Sequence, residues 1–137
     1  MKRIYIYIII GIITLIGSAA LMNLNSKRNL KLIVSNKYGE NIKTISKKVT
    51  SKIIISTMDS INWNNFHIVQ LEDEGDNTFK ALHVSGSLVE DGLASGFVTN
   101  ENHIIMVKPI KTVDQMTEIL LDFFKGENVW RNKYDYK

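Results

Sequence analysis

Residues 66–73 (FHIVQLED), 78–89 (TFKALHVSGSLV), 93–99 (LASGFVT) and 103–108 (HIIMVK) are four short segments rich in β-branched, aromatic and leucine side chains. The pieces between them, EGDN at 74–77, EDG at 90–92 and NEN at 100–102, supply the Gly, Asp and Asn that tight turns require. Connections this short join antiparallel neighbours, because a parallel pair needs a crossover of a dozen residues or more. The reading is an antiparallel meander of four strands, ended by Pro109.

Downstream, Thr112 followed by Gln115 forms a capping box, and Val113, Met116, Leu120, Phe123 and Phe124 then fall on one helical face. Lys125 in the last turn and Gly126 after it suit a helix end. This helix should lie across the sheet. Trp130, Tyr134 and Tyr136 follow in a polar tail that either docks on the domain or stays available to a partner.

Upstream, residues 29–35 (NLKLIVS) alternate Leu30, Leu32 and Val34 on one side, as a short strand does, and residues 36–39 read as a turn. From Asn41 the apolar positions become Ile42, Ile45, Val49 and Ile53, which is helical spacing with Asn41 as N-cap. Lys43, Lys47, Lys48 and Lys52 flank that stripe, so a basic helix covering the sheet is expected. Residues 53–55 fit either a helix end or a strand. Residues 56–65 (STMDSINWNN) form a polar connector whose Trp63 reads as a core plug. The expected fold is α+β: a four- to five-stranded antiparallel sheet packed by one or two helices.

Residues 4–22 (IYIYIIIGIITLIGSAALM), beginning at Ile4 and ending at Met22, contain no charge. At about 1.5 Å per residue, nineteen residues nearly match a hydrocarbon core of roughly 30 Å. Residues 1–25 therefore read as a single-pass membrane anchor or a signal peptide. Lys2 and Arg3 before the run and Gly17 to Ala20 near its end suit cleavage. The length, extended by Leu21 and Met22, favours retention. Lys27, Arg28, Lys31 and Lys37 after the run weigh toward a cytoplasmic domain by the positive-inside rule. The short basic start weighs the other way, and an inner-membrane protein with its domain in the periplasm or outside the cell is the favoured reading. Residues 26–137 then make one small domain, enough for a modest core. Cysteine is absent, which removes disulfides, thiolate metal sites and a lipoprotein attachment point.

The net charge of +3 conceals an asymmetry. Between residues 26 and 52 stand eight cations, Lys27, Arg28, Lys31, Lys37, Lys43, Lys47, Lys48 and Lys52, against Glu40 alone. Such a membrane-proximal stretch is drawn to anionic headgroups or forms a solvated face. Between 53 and 91 seven acids oppose Lys80. Four of them, Glu72, Asp73, Glu74 and Asp76, cluster where a hairpin tip is expected, and are the candidate contact for a protein partner. They lack the spacing of an EF-hand. Nucleic acid is a poor partner, since the basic stretch carries no interleaved aromatics.

His67, His83 and His103 fall in three expected strands and raise the question of a trihistidine metal site. With a two-residue turn at Gly75 and Asp76, His67 would face Val84, and His67 and His83 would point to opposite sides. No metal, cofactor or catalytic set is therefore assigned. Gly86, Ser87, Ser95 and Gly96 make no nucleophile elbow and read as small residues at strand bends. The functional expectation is a membrane-tethered binding protein of the bacterial envelope that recognises and neutralises another protein, a toxin or an envelope component, as an immunity or exclusion factor does. The alternative is a structural subunit of an envelope-spanning secretion or pilus assembly.

Overall fold

A computed structural model describes residues 28–36, 40–75 and 78–137. The apolar run 4–22, Lys27, Lys37 and Asp76 lie outside them, so the expected anchor and those side chains have no place in the description below. Among the described residues no helix is long and apolar enough to cross a membrane.

Six strands form one antiparallel sheet: β1 (Leu30–Asn36), β2 (Glu40–Ser46), β3 (His67–Asp73), β4 (Lys80–Ser87), β5 (Gly92–Thr99) and β6 (His103–Ile105). Their order is β2-β1-β3-β4-β5-β6. Among the described residues three helices, α1 (Ser51–Ser60), α2 (Val113–Lys125) and α3 (Glu127–Lys133), complete the α+β domain. The sheet thus exceeds the upper end of the expected four to five strands by one, and the meander from β3 to β6 is as read.

Strand alternation sorts the side chains onto two faces. Leu32, Leu71, Leu82, Phe97 and Ile104 stand opposite one another across five strands, and Val34, Val69 and Val84 form the row beside them. This face packs Ile54 and Met58 of α1 and Met116, Ile119, Leu120 and Phe123 of α2 into a single core. The capping box of Thr112 and Gln115 starts α2 and Gly126 ends it. Trp63 is buried, its Nε1 donating to the Met58 carbonyl at 3.1 Å, so it plugs the end of α1.

The polar tail docks. Trp130 is buried against Phe97, Phe123 and Tyr136. Backbone hydrogen bonds join Ile105 to Lys137 in both directions and Val107 N–H to the Asp135 carbonyl, covering the outer edge of β6. The outer edge of β2 has no strand beside it among the described residues.

The basic helix expected from Asn41 is not formed. Residues 40–46 are strand β2, and Asn41 adopts a left-handed φ of 54° instead of capping a helix. The reason is the hairpin: the chain returns at Glu40 opposite Asn36, and the free edge of β1 takes up its backbone hydrogen bonds. Two register shifts break the period of two, so Ile42 and Ile45 come three apart by irregularity of a strand. Ile42 is 67% exposed, where a core-facing helix would have buried it. The helix begins later, at Ser51, with the Thr50 hydroxyl accepting from Ile53 N–H, and so resolves residues 53–55 as helical.

Candidate functional site

β1 runs from one end of the sheet to the other, about 20 Å at 3.3 Å per residue. Leu30, Asp73, Lys80 and Thr99 lie at the end where the described chain begins, and Asn36, His67, Gly86 and Leu93 at the far end. Each end carries a concavity of different chemistry.

At the near end Arg28 binds three groups at once. Its Nε donates to Asp73 Oδ2 at 3.1 Å, and its two terminal nitrogens donate to the carbonyls of Phe124 and Phe123 at 2.7 and 2.8 Å. A guanidinium so placed satisfies the last carbonyls of α2 and opposes the negative end of its dipole. Burial pushes the Asp73 carboxyl up, but N–H groups of Gly75 and Asn29 together with Arg28 hold it below its ordinary value. Next to it, Lys31 pairs with Glu72 at 3.1 Å on the sheet face away from the helices, where the Gln70 amide also donates to Glu72.

Two of the four acids expected at a hairpin tip, Glu72 and Asp73, are therefore not at its surface. Glu72 and Asp73 are the buried end of β3, neutralised by Lys31 and Arg28, and Glu74 is exposed beyond them. Of the cations expected near a membrane, Arg28 and Lys31 are these partners and Lys43 is exposed on β2. Lys47 instead lines a groove of about 440 Å³ with Lys48 and Lys125, all three exposed, and with the half-buried Leu30, Val49 and Phe124.

The far end is polar and differently built. A cleft of about 450 Å³ is lined by Asn36, Asn64, Asn65, His67, Glu90 and Asp91, among others. His67 Nδ1 lies 2.9 Å from the Asn65 carbonyl, which can only accept, so Nδ1 carries a proton there. Ser87 Oγ donates to the Asn64 carbonyl and accepts from Val89 and Glu90 N–H, while Leu88 N–H donates to the Trp63 carbonyl. These bonds fasten the β4–β5 turn to the segment after α1. On that fixed turn Leu88 is 53% and Val89 70% exposed. Gly86 permits the arrangement: at its φ of 126°, a Cβ would lie 2.0 Å from the Gly92 carbonyl oxygen.

A third cluster lies on the open face of the sheet. The β3–β4 ladder ends at Asp73 and Lys80, leaving a six-residue connection in place of the two-residue turn, so His83 faces Gln70 and His67 faces Gly86. The displacement is two residues, which leaves side-chain faces unchanged, and His67 and His83 do point to opposite sides. His83 meets His103, Nε2 to Nε2 at 3.1 Å, above Gly96. A Cβ at Gly96 would stand 2.4 Å from His83 Nε2. His83 Nδ1 is buried without a partner. Burying a bare lone pair costs less than burying an unpaired N–H, so His83 donates from Nε2 and His103 accepts. Burial, and then the charge of His103, lower the His83 pKa to about 4. Among the described residues no three His, Asp or Glu side chains gather as a metal site needs.

Sequence reading flagged His67, His83, His103 and Lys47, but not their groupings. The far end had one legible signal, the apolar pair Leu88 and Val89 beside the turn residues Glu90, Asp91 and Gly92. Lys125 joins Lys47 across 78 residues, and no local pattern could announce it. The chain matches no protein-family model, no curated protein and no solved structure.

Proposed function

We propose that the chain is a membrane-tethered small binding protein of the bacterial envelope, held by residues 4–22, which recognises and neutralises another protein as an immunity or exclusion factor does. The observation that carries the reading is the far end of the sheet. Two large apolar side chains, Leu88 and Val89, project from a turn pinned by four hydrogen bonds, beside a polar cleft. An apolar anchor on a rigid support with polar groups around it suits recognition of a protein surface, because little ordering entropy is lost on docking. This end is the one farther from Arg28, hence from the proposed tether. It replaces the acidic stretch as the contact surface, since Glu72 and Asp73 are already engaged internally.

A photo-crosslinking residue at Val89, in the full chain in membranes of the producing cell, tests the proposal. One protein adduct is expected, reduced at least tenfold by Leu88→Asp, whereas the same residue placed at Glu101 gives none. Equal labelling from both positions, or no adduct at Val89, sinks the reading. The outer edge of β2, with no strand beside it among the described residues, favours a second reading, an assembly subunit joined by strand addition. It requires adducts from Ile42 to a further subunit of the assembly.

A further inference from the structure

The lining of the groove at the near end divides into exposed cations, its rim, and half-buried apolar side chains, its floor. Lys47 and Lys48 come from the segment after β2 and Lys125 from the last turn of α2, while Leu30, Val49 and Phe124 lie beneath. The ammonium groups of Lys47 and Lys48 have no carboxylate partner among the described residues, and Lys125 reaches Asp122 only at 3.9 Å with its side chain 64% exposed. The carboxylates nearby are committed elsewhere: Asp73 to Arg28, and Asp122 to Lys133 and Tyr134. Glu74 remains exposed at this end. Lysines held together without counter-charge repel one another unless an anion joins them.

Position selects the anion. The apolar run ends at Met22 and Arg28 borders the groove, so only five residues lie between them, and the six steps span no more than about 21 Å fully extended. A free phosphate would use the lysines and leave Leu30, Val49 and Phe124 exposed to water. A phospholipid surface meets both parts, with phosphates at the rim and glycerol and upper acyl carbons over the floor. We infer that this groove docks the domain onto an anionic phospholipid bilayer, which fixes the near end against the membrane and turns Leu88 and Val89 away from it. The inference rests on the tethering proposed above.

The absence of cysteine allows single labels. Full-length chain carrying Ser51→Cys, exposed two residues after the groove's Val49, or Val89→Cys, at the far end, is labelled with a fluorophore and reconstituted into vesicles containing nitroxide-headgroup lipid. Membranes of phosphatidylcholine alone are compared with membranes holding phosphatidylglycerol. Docking predicts quenching at position 51 but not at 89, only with phosphatidylglycerol. The docked-to-undocked ratio should fall about fivefold for each of Lys47→Gln, Lys48→Gln and Lys125→Gln. Equal quenching in both lipids, or no response to the three substitutions together, overturns the inference. So does loss of quenching with millimolar glycerol phosphate at constant ionic strength, which would identify a soluble phosphate ligand. Flotation with phosphatidylcholine vesicles reports the tether separately: a chain that fails to float there has no anchor. Its flotation with phosphatidylglycerol, abolished by the lysine substitutions, would still support the groove, and failure with both lipids overturns both.

Discussion

His83 shows how one neighbour sets the chemistry of a side chain. Its ring lies over Gly96, donates to His103 and has a buried Nδ1, so protonation would place a charge where water is scarce and a second imidazole stands close. The folded pKa of about 4 lies below the ordinary value of 6.5. The unfolded chain therefore takes up a proton that the folded chain refuses. Stability from this group is fully present above about pH 6.5 and is lost as pH falls toward 4, on the order of 1–3 kcal/mol. Urea unfolding at pH 7 and pH 4.5 should show this slope, and His83→Leu should flatten the part between those values. An unchanged slope would mean that His83 is no more shielded than a surface histidine. Histidine at 83 was legible in the sequence, but its partner was not, because the contact with His103 depended on the registers of two successive strand pairs, β4 with β5 and β5 with β6, which bring both rings over Gly96.

Among the elements, β2 is where local pattern and structure part. Ile42, Ile45, Val49 and Ile53 have helical spacing, yet the first two belong to a bulged edge strand and the last to α1. Spacing records only what side chains would share a face if the backbone were regular, and two register shifts remove that condition. Substitutions separate the alternatives. Ile54→Ala, at a fully buried position on α1, should cost about 2–5 kcal/mol. Ile42→Ala should stay within about 0.5 kcal/mol. Chemical denaturation of both variants checks this, and similar large losses would restore the helix. By contrast the capping box at Thr112 was read correctly, because its two hydrogen bonds are made by residues three apart and need no help from the rest of the fold.

At the scale of the whole molecule, Arg28 ties the beginning of the described chain to the sheet and to the end of α2. Asp73 comes from β3 and the accepting carbonyls from Phe123 and Phe124, with the guanidinium also 5.3 Å from the centre of the Phe123 ring. Arg28→Met keeps much of the stem's packing but leaves a partly buried carboxylate and two helix-terminal carbonyls without their donor. It should cost about 2–3 kcal/mol, seen as a lower urea midpoint, and Asp73→Asn added to it should restore part of the loss. Full additivity of the two substitutions would show that the pair is not coupled. The same cation opposes the end of α2 beside the proposed docking groove, so the fold holds that helix end close to where a tether would pull.

By itself the sequence determined what depends on neighbours a few residues apart: the antiparallel meander from β3 to β6, the capped C-terminal helix, the core role of Trp63, and a charge-free run of bilayer length. The tertiary structure decided what depends on residues far apart. It made the sixth strand, withdrew Glu72 and Asp73 from the surface, docked the tail on β6, joined His83 to His103 and gathered Lys47, Lys48 and Lys125 round one groove. The physical reason is the range of the interactions. Turn chemistry, capping and hydrophobic period act along a few bonds of chain, whereas ion pairing and burial act through space and are fixed only when the register brings their partners within reach.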